Sequence, residues 1–150
     1  MNIRPICESD RANVLEILAK TMSMHYMHEM RLEFEQLLEG KGYAFVADQG
    51  YSVLGYITCH QTAETFKLET LAVSPHVQGQ GLGRLLVEHL EQALQREVPL
   101  RPLVINVVTD DAADDPVQAF YKKLGFVQSG IVVNEYKPGD RQVHLCKIIQ

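Results

Sequence analysis

The 150-residue chain predicts a mixed α/β fold of the α+β type, a mostly antiparallel central sheet of about seven strands flanked by about four helices. Three observations predict it. Four segments repeat apolar residues at helical spacing, and seven short runs are rich in Val, Ile, Tyr and Phe. The two kinds follow one another in the order β-α-α-β-β-β-α-β-α-β-β, with three consecutive strands in the middle and two at the end. Strands joined by short turns run antiparallel, so this order excludes an all-parallel sheet with a helix between every pair.

"NIRPI" is the first strand, after which Asp10 offers a carboxylate to cap a helix carrying Val14, Leu15, Ile17, Leu18 and Met22 on one face. Met30, Phe34, Leu37 and Leu38 mark a second helix, stopped by the glycines of "EGKG". The runs "YAFVAD", "SVLGYITCH" and "FKLETLAV" form an antiparallel meander with short connections. Leu82, Leu85, Leu86, Leu90, Ala93 and Leu94 give a third helix one apolar face, and "LVINVV" reads as a strand covered on both sides. The fourth helix is bracketed by local signals: Asp115 as N-cap, Pro116 at the first helical position and Gly125 at the left-handed C-terminal position. "FVQSGIVVNEY" and "RQVHLCKII" close the chain as a hairpin turning at "KPGD".

The chain reads as one domain over residues 1–150, with 46% hydrophobic residues, no repeat and no linker-like stretch. No apolar run has membrane-spanning length, and "MNIRPICESD" lacks the apolar core of a signal peptide, so a soluble cytoplasmic protein is expected. A net charge of −5 with scattered Lys and Arg disfavours a nucleic-acid surface. Cys7, Cys59 and Cys146 are widely spaced and form no metal or redox motif, so they read as reduced thiols and no metal is expected.

The chemistry concentrates in "SPHVQGQGLGRLLVEHLEQAL", where Gly79, Gly81 and Gly83 lead directly into the third helix. A helix N-terminus presents unpaired N–H groups and the positive end of its dipole, and glycines let an anion approach that backbone. Two phosphate motifs fail on spacing. A Walker A loop requires Lys and then Ser or Thr after its last glycine, whereas Gly83 is followed by Arg84 and Leu85; the dinucleotide fingerprint GxGxxG would need its third glycine at Arg84. The pattern Q/R-x-x-G-x-G/A is satisfied by Gln78, Gly81 and Gly83.

Placed between a strand ending "LAVSP" and a helix, and followed some 40 residues later by "AFYKKLGF", this pattern resembles the GNAT superfamily of acyl-CoA-dependent N-acetyltransferases. The resemblance covers most of the chain, with its specific residues between Leu68 and Phe126. It implies that the backbone of Gln78, Gly79, Gln80, Gly81, Leu82, Gly83 and Arg84 cradles the pyrophosphate of acetyl-CoA, with the Arg84 side chain adding charge. It also implies that Leu71, Ala72 and Val73 pair with the pantetheine arm as with an added strand, whose amides suit ladder donors and acceptors.

By the same resemblance, Tyr121 is the acid that protonates the departing thiolate, on a helix whose Phe120 and Leu124 pack in the core. Glu69, on the same strand face as Leu71 and Val73, is the candidate base, directly or through water, and because Asn106 on the following strand cannot titrate the alternative is water alone. The family's usual Asn seven residues before the tyrosine is Asp114 here, and its role stays open. Asp110 and Asp111 are candidates for selecting a cationic amine. His25, Tyr26 and His28 fall where the family builds its acceptor wall, while His60 and His144 read as structural. The implied reaction is acetyl transfer from acetyl-CoA to a primary amine, a small molecule or a peptide, by direct attack in a ternary complex, without metal, membrane or nucleic acid. A non-catalytic acyl-CoA-binding module is the rival reading, and a homodimer through the final hairpin stays open.

Overall fold

In the computed structural model, which describes residues 1–99, 101–112 and 115–150, seven strands and four helices alternate among the described residues. They are β1 (Asn2–Pro5), α1 (Arg11–Thr21), α2 (Met27–Leu38), β2 (Tyr43–Asp48), β3 (Val53–Thr62), β4 (Thr65–Val73), α3 (Leu82–Glu97), β5 (Leu103–Asp110), α4 (Pro116–Lys123), β6 (Val127–Val133) and β7 (Arg141–Ile149). The sheet order is β1-β2-β3-β4-β5-β7-β6, and β4 with β5 is its parallel pair. The expected mixed, mostly antiparallel architecture and its element order are therefore present. The chain gathers into two compact units, Met1–His60 with Leu68–Glu97, and Gln61–Lys67 with Val98–Gln150.

In the first unit the antiparallel strands β1, β2 and β3 carry side chains to two faces. Ala44 and Val46 point with Tyr56 toward α1 and α2, where they join Val14, Ile17, Leu18, Met27, Phe34 and Leu37 in one apolar cluster. Phe45 and Gly55 point toward α3: the Phe45 ring meets His89 edge-on at 4.7 Å, and a Cβ at Gly55 would lie 2.8 Å from Leu86 Cδ1. Close approach of α3 to the sheet thus depends on the missing side chain at Gly55. The buried stripe of α3 is Leu82, Leu86, Val87, Leu90 and Leu94, and each buried leucine contributes roughly 2 kcal/mol. Leu85, expected on this face, is 51% exposed. It falls beside the every-fourth-residue row that faces the sheet, and Val87 takes its place.

Asp10 also departs from expectation. Its backbone is helical and its side chain does not cap α1. The carboxylate instead receives both terminal nitrogens of Arg4 at 2.8 Å and the backbone N–H of Cys7 at 2.8 Å. A two-pronged guanidinium contact plus an N–H outweighs one helix-end donor.

In the second unit β5 pairs with β7 along its whole length, from Leu103 opposite Ile149 to Asp110 opposite Gln142. Burial on β5 alternates: Leu103, Ile105, Val107 and Thr109 are buried and Val104, Asn106 and Val108 are half-buried, so one of its faces is less covered than the apolar run implied. The second strand of the hairpin keeps its expected limits, but β6 stops at Val133 rather than Tyr136. Asn134 there takes φ +60°, and the 134–140 connection closes on itself through Asn134 N–H to the Asp140 carbonyl at 2.9 Å and Gly139 N–H to Asn134 Oδ1 at 2.6 Å. No described helix is long and apolar enough to cross a membrane.

Candidate active site

The glycine loop is built by backbone sign changes. After Ser74, whose N–H bonds the Leu54 carbonyl at 2.8 Å, Pro75–Val77 makes a short 3-10 turn and Gln78 returns to extended backbone. Gly79 then takes φ +78° and Gly81 φ +86°, with Gln80 between them outside the left-handed region. Such alternation turns successive N–H groups toward one concavity, an arrangement that holds anions. A Cβ at either glycine would meet nothing within 4 Å, so the space in front of this backbone is open and glycine is required by the torsion, not by crowding. Leu85 N–H closes the first helical bond on the Gly81 carbonyl at 3.1 Å. The N–H groups of Gly81, Leu82, Gly83 and Arg84 are consequently the donors that the first turn of α3 leaves without an intrahelical acceptor. The residues present fit a phosphate-bearing cofactor at this helix end.

Two side chains refine the loop. Gln78 Nε2 donates to the Val73 carbonyl at 3.0 Å, so the loop is strapped to the last residue of β4. Arg84 Nε donates to Glu88 at 2.6 Å, one turn on in α3, which draws that guanidinium along the helix. On β4, Phe66, Leu68, Thr70 and Ala72 are buried, while Glu69 is exposed and Leu71 and Val73 half-buried on the opposite face, as period-2 alternation predicts. The Cys59 thiol is pushed up to about 12 by burial and, secondarily, by the charge of Glu69. It is an inert buried thiol.

His25, Tyr26 and His28 are all exposed. His25 and Tyr26 lie in a 3-10 turn and meet edge-on at 5.1 Å, whereas His28 belongs to α2. Next to them in chain order, α2 supplies a residue that sequence reasoning missed. Glu33 accepts from Thr58 Oγ1 at 3.2 Å and pairs with His60 Nε2 at 2.9 Å, and Thr58 in turn accepts the Thr70 N–H at 3.1 Å. The signal lay in β3, where Tyr56, Thr58 and His60 put a polar group at every second position of an otherwise apolar run.

In the second unit, α4 has the expected ends. Asp115 Oδ1 accepts the Val117 N–H at 2.8 Å, Pro116 opens the helix, and Gly125 at φ +97° lets Phe126 N–H reach the Tyr121 carbonyl at 3.1 Å and Gly125 N–H the Lys122 carbonyl at 3.1 Å. The expected packing of this helix is reversed, however. Tyr121 is its buried side chain, while Phe120 and Leu124 are only half-buried. The Tyr121 ring is held edge-on by Phe120 at 5.0 Å and by Phe126 at 5.3 Å. Among the eight residues of this helix the buried one is the tyrosine. Burial pushes the Tyr121 phenol further above its ordinary range, so it is protonated at neutral pH, as any tyrosine is, and is a weaker acid than an exposed one.

Asp111 is claimed by Arg141 Nε at 2.8 Å, and the Asp110 carbonyl accepts from Gln118 at 2.7 Å. Asp111 is thus already charge-compensated. His144 pairs with Glu135 at 2.7 Å. Asp114 lies outside the described residues. Among the described residues no group of three or more His, Cys, Asp or Glu is placed to hold a metal ion.

Three kinds of comparison bear on these features. A family model described as acetyltransferase (GNAT) family matches residues 11–126. No curated protein matches. Solved structures with the same fold include one described as an acetyltransferase of the GNAT family from Desulfovibrio desulfuricans, 22% identical over 97% of both chains with a TM-score of 0.84. The ribosomal-protein-S18-alanine N-acetyltransferase of Escherichia coli is 20% identical over 99% of this chain and 94% of its own, with a TM-score of 0.79. An aminoglycoside 6'-N-acetyltransferase solved in complex with coenzyme A is 17% identical over 100% of this chain and 98% of its own, with a TM-score of 0.81.

Proposed function

Because this chain belongs to the acetyltransferase (GNAT) family, we propose that it transfers an acetyl group from acetyl-CoA to a primary amine by direct attack in a ternary complex. The observation that carries the reading is the paired left-handed torsion at Gly79 and Gly81, opening into α3 with free space before it. Acetyl-CoA supplies the activated thioester carbonyl. The backbone from Gln78 to Arg84 binds its pyrophosphate through the unpaired N–H groups of the α3 terminus, and the helix dipole adds to the attraction. Leu71, Ala72 and Val73 offer backbone groups to the pantetheine arm, with the Val73 carbonyl shared with Gln78. Tyr121, a protonated phenol at neutral pH, gives its proton to the departing thiolate. Glu69, exposed on β4, takes a proton from the acceptor ammonium directly or through water, and the neutral amine so formed attacks the thioester carbonyl.

The test is thiol release from acetyl-CoA against a panel of primary amines, with coenzyme A binding followed by calorimetry. Turnover with one amine class supports the enzyme. Tight binding of coenzyme A with no turnover across the panel supports a non-catalytic acyl-CoA-binding module instead.

A further inference from the structure

Arg84 occupies a poor position for a cation. It is the third residue of α3, inside the first turn and at the positive end of the helix dipole, and no acidic residue shares that turn. Its Nε donates to Glu88 Oε1 at 2.6 Å, one turn further on, with the two side chains 68% and 40% exposed. That pair does not account for the arginine. A cation four residues ahead of its anion is the less favourable order on a helix, and a pair this exposed stabilises little. An anion in front of the turn reverses the balance, because dipole and guanidinium then both attract it, and the space before Gly79 and Gly81 is open.

We propose that Glu88 is the resting partner of Arg84, that it competes with the cofactor pyrophosphate for the guanidinium, and that it thereby holds down affinity for acetyl-CoA and coenzyme A alike. Every Cα–Cβ bond of a helix tilts toward the N-terminus, so an Arg84 without this partner leans toward the glycine loop. The bond to Glu88 draws the guanidinium the other way, toward a residue about 6 Å further along the axis. When the pyrophosphate arrives, the Glu88 bond breaks and the guanidinium N–H groups pass to phosphate oxygens, which accept two of them side by side. Glu88, already exposed, is left to water. Acetyl-CoA and coenzyme A carry the same pyrophosphate, so the competition weakens donor and product equally and leaves the chemical barrier unchanged. Glu88 touches no reacting atom and is a positioning residue. The inference rests on the reading of Gln78–Arg84 as the pyrophosphate loop, and it names the residue that sets how tightly that loop binds.

Calorimetry with coenzyme A compares wild type, Glu88→Gln, Arg84→Ala and the double variant at low and high ionic strength, with thermal melts to check that each is folded. At low salt Glu88→Gln is expected to bind coenzyme A about three- to fivefold more tightly than wild type, and Arg84→Ala more weakly. In the Arg84→Ala background Glu88→Gln is expected to change nothing. The gain is expected to fade in about 0.5 M salt. Dephospho-coenzyme A, which keeps the pyrophosphate and lacks the 3′-phosphate, is expected to show the same gain. In thiol release, the KM for acetyl-CoA and the inhibition constant of coenzyme A are expected to fall together by that factor in Glu88→Gln, with kcat held. Unchanged affinity in Glu88→Gln overturns the competition while cofactor binding stands. A gain that persists without Arg84 overturns it too, because the glutamate then acts through its own charge. A gain lost with dephospho-coenzyme A overturns the pyrophosphate as the competing group. The expected binding pattern without thiol release to any amine keeps the competition and overturns the acetyltransferase reading, whereas no coenzyme A binding by wild type overturns the loop reading and this inference together.

Discussion

The side-chain amide of Gln78 donates to the backbone carbonyl of Val73 at 3.0 Å, making the end of β4 and the glycine loop one hydrogen-bonded piece. The backbone proposed to meet a pantetheine arm and the backbone proposed to meet a pyrophosphate are therefore tied to each other by the Gln78 side chain. Removing it in Gln78→Ala is expected to weaken coenzyme A binding about five- to tenfold, the worth of one preorganising hydrogen bond, with little change in Tm. Gln78→Glu is expected to fare no better, since a carboxylate cannot donate to a carbonyl. Calorimetry with coenzyme A decides, and unchanged affinity in both variants would mean that the strap has no part in binding.

Gly81→Ala tests the loop torsion itself. No atom lies within 4 Å of the added methyl, so the expected loss of roughly 1–2 kcal/mol comes from forcing an L-residue to φ +86°. Gly130→Ala, with equally open space and no left-handed torsion, is the control and is expected to cost less than about 0.5 kcal/mol. Denaturant melts of the two variants separate backbone strain from the mere addition of a methyl group. Only Gly81→Ala is expected also to lose affinity for coenzyme A.

Tyr121→Phe keeps the edge-on contacts to Phe120 and Phe126 and loses only a hydroxyl, so its stability is expected to stay near that of wild type. If the hydroxyl protonates the leaving thiolate, turnover falls by about 100-fold or more while coenzyme A affinity holds. Single-turnover kinetics beside calorimetry makes the distinction, and a variant as active as wild type would remove Tyr121 from the chemistry.

The Arg4–Asp10 pair is expected to set part of the acid sensitivity. Arg4 holds the Asp10 carboxyl below its ordinary value, with the Cys7 N–H helping. A carboxyl depressed in the native state contributes stability that is fully present above the unfolded value, about 4, and is lost as pH falls through the lower native value. Asp10→Asn is expected to cost on the order of 2 kcal/mol at pH 7, less than a fully buried pair because Arg4 keeps solvent and Asp48 as partners. The difference between wild type and variant is expected to shrink as pH drops below about 4 in urea melts. A constant difference down to pH 2 would count against the linkage.

Both ends of α4 could be read from the chain, because each rests on residues within a few positions of one another. Asp115 reaches the N–H two residues on, and Gly125 permits the turn that returns Phe126 to Tyr121. The glycine loop was legible for the same reason, since its torsions are a local demand. Asp10 was misread because its partner Arg4 sits on a neighbouring strand and offers a stronger bond than the helix end that sequence proximity suggested. Tyr121 was misplaced because helical spacing tells which residues share a face, not how much of that face a neighbour covers.

The sequence by itself determined the order of strands and helices, the mixed sheet and the glycine loop, since periodicity, caps and glycine torsions act over a few residues. Only the tertiary structure decided which polar groups meet. Glu33 joins Thr58 and His60 across 25 and 27 positions, and Asp111 is taken by Arg141 across 30. Partial burial strengthens the Glu33 pairings by removing competing water, whereas Arg141–Asp111 stays in solvent; in both cases the fold must first bring strands and helices together, and no short window of sequence records that approach.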